Sequence, residues 1–157
     1  MFMKEPVKNF LISLVLTLVL ALWGDDLKAQ PYGHSGGIRA GYSSGISYKG
    51  FRLHRMGAYE ANILYNRHGF NVSALYEQHL EPFRNERFLF YFGGGAFGGD
   101  WDEEFSMGVL AVAGLEYTVR DLPLNFGVDW RPMLNVYRTL APDFLDFGLC
   151  IRYRFGR

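Results

Sequence analysis

The chain has 157 residues, 49% of them hydrophobic and 17% aromatic, with 19 glycines. That composition excludes a disordered chain and suits a single domain. Sixteen Lys and Arg offset sixteen Asp and Glu, so the basic footprint of a nucleic-acid binder is missing, and the lone Cys150 excludes a disulfide framework or a cysteine-based zinc site.

The first thirty residues differ from the rest. Lys4 and Lys8 make a small positive head, and an uncharged run from Phe10 to Trp23 follows. The run is too short to cross roughly 30 Å of hydrocarbon as a helix, which takes about 20 residues. A charged head, a short apolar run and a polar tail read as a cleavable secretory signal peptide over residues 1–29, cut near Ala29 and Gln30. No cysteine stands near the cut to carry a lipid anchor. Residues 30–157 then form the exported domain.

Nearly every later segment alternates with period two, the signature of strands. Turn residues divide the chain into about eight, near 36–42, 46–52, 58–66, 69–80, 87–98, 106–119, 122–136 and 144–155. In the first pair, Ile38, Ala40, Tyr42, Ile46 and Tyr48 keep one parity, which fits a three-residue hairpin or one long strand; an even strand count favours the hairpin. The acidic stretch Asp100-Trp101-Asp102-Glu103-Glu104 is expected as a loop. Alternation is plainest at 122–136, where Leu124, Phe126, Val128 and Trp130 oppose Asn125, Gly127, Asp129 and Arg131. It returns at 144–155, where Leu149, Ile151, Tyr153 and Phe155 oppose Gly148, Cys150, Arg152 and Arg154. The expected fold is all-β, an eight-stranded antiparallel transmembrane β-barrel.

Three features set which face is inside. Glycines share the polar face (Gly41, Gly108, Gly114, Gly127, Gly148), as a crowded lumen requires and a solvated exterior does not. The apolar face carries Phe126, Trp130, Phe147, Tyr153 and Phe155, too much bulk for the narrow interior of eight strands. Tyr42, Tyr65, Tyr117, Trp130 and Tyr153 fall toward segment ends, as interfacial girdles do. The apolar face is therefore expected to meet lipid. The inward set becomes Arg39, Lys49, Glu60, Glu77, His79, Glu116, Asp129, Arg131, Asp146, Arg152 and Arg154. Matched signs in a narrow lumen imply a salt-bridge network and a plugged barrel.

Gly45-Ile46-Ser47-Tyr48-Lys49, Phe92-Gly93-Gly94-Gly95-Ala96, Gly114-Leu115-Glu116-Tyr117, Asp129-Trp130-Arg131-Pro132 and Ile151-Arg152-Tyr153-Arg154-Phe155 together resemble the small outer-membrane β-barrel proteins of Bacteroidetes-type bacteria. The resemblance covers nearly all of residues 30–157. It implies an outer-membrane location and contact with lipid and lipopolysaccharide. It also implies a C-terminal signal of Ile151, Tyr153 and Phe155, read by the barrel assembly machinery. Here Gly156 and Arg157 follow the closing aromatic, whereas the usual signal ends on it.

Chemistry is sparse. His34, His54 and His68 fall at turns or strand ends and His79 on the inward face, so none is expected on the lipid-facing surface, where a deacylase-like site would need one. A palmitoyltransferase-like site would need His, Asp and Ser together near the outer rim, with His68 and Ser44 as the candidates. Glu77 and His79 share a face but two ligands do not make a metal site, and the acidic stretch lacks the order of a calcium loop. Cys150 reads as small lumen filler. Gly93-Gly94-Gly95 has neither the helix nor the lysine of a phosphate loop and reads as a barrel bend. The sequence thus predicts a monomeric, non-catalytic envelope barrel with no cofactor or metal; a small pore, a soluble lipocalin-like binder and a lipid-modifying enzyme are the alternatives.

Overall fold

The computed structural model describes residues 32–52, 56–82, 87–137 and 140–155. The expected export segment lies outside these residues, as does His54. The alternating sequence forms ten strands and, among the described residues, no helix: β1 (His34–Gly41), β2 (Ser44–Phe51), β3 (Gly57–Asn66), β4 (Gly69–Leu80), β5 (Phe88–Trp101), β6 (Glu104–Thr118), β7 (Leu124–Trp130), β8 (Met133–Asn135), β9 (Ala141–Asp143) and β10 (Phe147–Phe155). Each pairs antiparallel with its neighbours. β1 pairs with β10 and β5 with β6, so the sheet closes on itself.

Ten strands make eight staves. β7 and β8 lie along β6 in one register, parted at Arg131-Pro132 because proline has no N–H to give the ladder. Opposite them, Trp130 faces Phe147 and Met133 faces Asp143. Three steps on one side match four on the other, which is a β-bulge joining β9 to β10. The extra residue lets Phe144 and Leu145 both stand outward, while Asp146 turns in and is buried.

The first two strands form a hairpin about Tyr42, which preserves parity across the turn. The acidic loop is shorter than its composition suggests. β5 and β6 run on until Trp101 faces Glu104, leaving a two-residue turn of Asp102 and Glu103 with φ of 53° and 67°. Positive φ at both central positions marks the hairpin turn whose twist matches the strands, normally filled by Asn-Gly.

Barrel stagger can be read from the register. From Ile38, one route passes Ile46, Ile63, Val72 and Gly98 to Met107 on β6. The other passes Ile151 and Phe126 to Tyr117, ten residues further along β6. Such a stagger over eight strands tilts the staves steeply and leaves an interior just wide enough for side chains. Inward glycines keep it tight. A Cβ on Gly93 would run into the Tyr76 carbonyl and one on Gly95 into that of Ala74, so only glycine lets β4 and β5 coil this closely.

The turn gives a simple test. Replacing Glu103 by Gly removes a side chain from the left-handed region and should stabilise the barrel by about 0.5–1 kcal/mol, net of the extra chain entropy. The urea midpoint of the refolded protein in detergent would rise; an unchanged or lower midpoint would show that the turn is unstrained.

Candidate functional site

Alternation sends every second residue of each stave inward, and on one side of the barrel those residues carry charge. The side chains of Arg39, Lys49, Glu60, Glu77, His79, Glu116, Asp129, Arg131, Asp146 and Arg152 are all buried. They form one continuous chain of opposite charges along the lumen. At the end where β1 turns into β2, Asp146 accepts from Arg39 Nη1 at 2.9 Å and from the Ser43 N–H at 3.2 Å. Arg39 also donates from Nε and Nη2 to Asp129 Oδ1, at 2.9 and 2.7 Å. Arg131 joins Asp129 Oδ2, 2.9 Å away, to Glu60 Oε1 at 2.6 Å.

Glu60 is the junction. Its second oxygen takes Arg152 Nη2 at 3.0 Å and lies 3.2 Å from Lys49 Nζ. That ammonium also meets Glu77 at 2.7 Å and Glu116 at 3.3 Å, and lies 4.2 Å from the centre of the Tyr91 ring. Glu116 accepts further bonds from the Tyr32 hydroxyl at 2.8 Å and Asn125 Nδ2 at 2.5 Å. His79 Nε2 stands 3.8 Å from Glu77, and the His79 ring stacks on Tyr91 and meets Phe51 at a tilt of 52°. Neither ring nitrogen of His79 has a hydrogen-bond partner among the described residues.

Small residues make room for the long ones. A Cβ on Gly148 would strike the Arg39 guanidinium, and one on Gly114 the Tyr91 ring. Cys150 is buried with Sγ 3.4 Å from Asp129 Oδ2. Arg154 stands apart. It is half-buried at the rim and donates to the Val119 and Leu122 carbonyls, so it holds the β6–β7 connection instead of joining the network.

The other side of the lumen is apolar. Leu75, Tyr91, Phe97, Leu110, Val112 and Met133 pack together, with Trp101 against them. Period-two reasoning misses this plug because β5 and β6 are apolar on both faces there, and alternation then carries no sign. The signal that remained was parity with neighbouring polar groups: Leu89 pairs with the inward Glu116 and Tyr91 with the inward His79.

The remaining candidates separate. His34 faces outward on β1, correcting the expectation that no histidine occupies that surface; its Nδ1 is 2.9 Å from the Tyr48 hydroxyl. His68 Nδ1 lies 3.0 Å from Asp102 and its ring stacks on Trp101, whereas Ser44 Oγ bonds to Gly41 within its own hairpin. No group of three or more metal-ligating side chains occurs among the described residues. No protein-family model matches this chain, and no curated protein or solved structure matches it either.

Removing one partner from a buried ion cluster leaves uncompensated charge and costs about 3–5 kcal/mol. Glu60→Gln should therefore cost that much, since it removes the one carboxylate charge that Arg131, Arg152 and Lys49 share, whereas Arg154→Ala should cost under ~1 kcal/mol. Equilibrium urea unfolding would check the contrast; equal effects would mean that Glu60 is no junction.

Proposed function

We propose that this protein is an integral outer-membrane β-barrel with a closed lumen, serving the envelope as a structural or interaction element without catalysis. The observation that carries the reading is the direction of the side chains. Ions lie inside, and the outer wall exposes Ile38, Ile46, Ile63, Val72, Val109, Val128 and Leu149. So large an exposed apolar surface on a soluble protein would drive aggregation, whereas lipid satisfies it. The same direction argues against a lipocalin-like binder, whose apolar face would have to line a ligand pocket.

Aromatics flank the aliphatic zone at both ends. Tyr65, Phe70, Phe105, Phe144 and Phe147 stand outward toward one end, and Tyr59, Tyr76, Phe90, Tyr153 and Phe155 toward the other. Amphipathic rings at both edges suit the two membrane–water boundaries. The aliphatic-to-aromatic order supports a span.

Closure rests on burial. Lys49, Glu77, Glu116 and Arg152 are 0% exposed, so they are shut off from both ends. A conducting pore lined by these groups would wet them. The network and the apolar plug occupy the lumen instead, which favours a closed barrel over a small channel. Three turns at the end away from the chain termini are tight, at Tyr42-Ser43, Arg67-His68 and Asp102-Glu103.

Envelope fractionation followed by gel mobility in detergent tests the reading. Recovery in the outer membrane is expected, with a mobility shift on boiling as the closed barrel opens. Release with the soluble periplasm, with one mobility before and after boiling, would overturn it.

A further inference from the structure

The outer wall is indented between β1, β2, β3 and β4. Near the end that carries the chain termini lies a groove of about 480 Å³, within the range of small-molecule sites. Its position follows from register. Tyr48 pairs with Ala61 and Ala61 with Ala74, while in the next row Gly50 pairs with both His34 and Tyr59. Small residues therefore lie between aromatic ones. Gly50, Ala61 and Ala74 form the floor, Tyr48 and Tyr59 the walls, and His34 and the exposed Arg52 stand at the mouth. The Arg52 N–H donates to the Gly57 carbonyl at 2.8 Å, which fixes its backbone at the end of β2. Tyr48 occupies Nδ1 of His34, leaving Nε2 as the ring's remaining polar atom. A Cβ on Gly50 would come within 3.2 Å of that ring, so glycine leaves the ring its place.

We propose that this groove seats one acyl chain of a phosphate-bearing diacyl lipid, with the phosphate held at the mouth by Arg52 and His34. The proposal rests on the membrane reading above, because a diacyl lipid is at hand only if the wall is embedded. Within a bilayer, filling an apolar groove gains little from hydrophobicity, since the surroundings are equally apolar. Selection then falls to shape and to the headgroup. A planar guanidinium beside an apolar slot matches a phosphate ester attached to a chain. A second copy fits less well, because a two-fold dimer through this patch would bring two Arg52 guanidinium groups into one interface.

Native mass spectrometry of the full chain extracted in dodecyl maltoside tests this, with dioleoyl phosphatidylglycerol as probe and chain-matched dioleoylglycerol as control. One phosphatidylglycerol per barrel should be retained, and dioleoylglycerol should not. Arg52→Ala should weaken retention about fivefold, as expected for one cation on an anionic headgroup, and Ala61→Phe should abolish it by filling the floor. Equal retention by the wild type and both variants would reduce the lipid to an unselected annulus and overturn the proposal. A wild-type dimer that Ala61→Phe dissociates would assign the groove to a second copy instead. These failures are distinct from failure of the membrane reading, which would show as a chain that never fractionates with membranes.

Discussion

Three cations, Lys49, Arg131 and Arg152, converge on the one buried carboxylate of Glu60, and the rest of the barrel is arranged around keeping that junction paired. Ions in a narrow lumen are costly unless each meets its opposite, and the staves must place them within bonding distance across the interior. Shifting any one stave by a single residue would turn its charges outward and its aliphatic residues inward. The network therefore specifies register as well as filling space. The glycines opposite Arg39 and Tyr91 belong to the same constraint, because they leave the volume that these long side chains need.

Closure and wall composition follow from this packing. With one side of the lumen taken by ions and the other by the apolar plug of Leu75, Phe97, Leu110 and Met133, little volume is left for solvent. The outward residues are then free to be largely apolar. Where Gly50, Ala61 and Ala74 coincide in register the wall opens into the groove. A barrel with a sealed interior can act only through its wall and its rims, which is where the proposed roles lie.

Much of this was legible in the sequence, and the places where it was not have physical causes. In β7 and β10 one face is apolar and the other polar, so parity alone separated Phe126 and Ile151 from Asp129 and Arg152. In β5 and β6 both faces are apolar over long stretches, and the inward Tyr91, Phe97, Leu110 and Val112 gave no sign of direction. The bulge before β10 is invisible to a strict period, because its extra residue shifts the parity of Asp143 relative to Asp146. Acidic residues at 100–104 suggested a solvated loop, yet the strands continue through Trp101 and Glu104 and leave only two residues to turn. Arg154 shares the parity of Arg152, but it lies beyond the last inward carboxylate and meets backbone carbonyls instead. Parity reports the face, and depth along the barrel decides the partner.

The central claim is that the apolar face of the wall meets lipid while the charges meet one another inside. Trp130 reads it directly, since its ring stands outward against Phe147 and its Nε1 donates to the Phe144 carbonyl at 2.7 Å. With Trp23 and Trp101 replaced by Phe, Trp130 would be the only tryptophan in the chain, and the protein would be reconstituted into vesicles whose lipids carry bromine on their acyl chains. Strong quenching of its fluorescence by the brominated chains, with little quenching by aqueous iodide, is the result this account predicts. Quenching by iodide and indifference to brominated lipid would place the wall in water and contradict it.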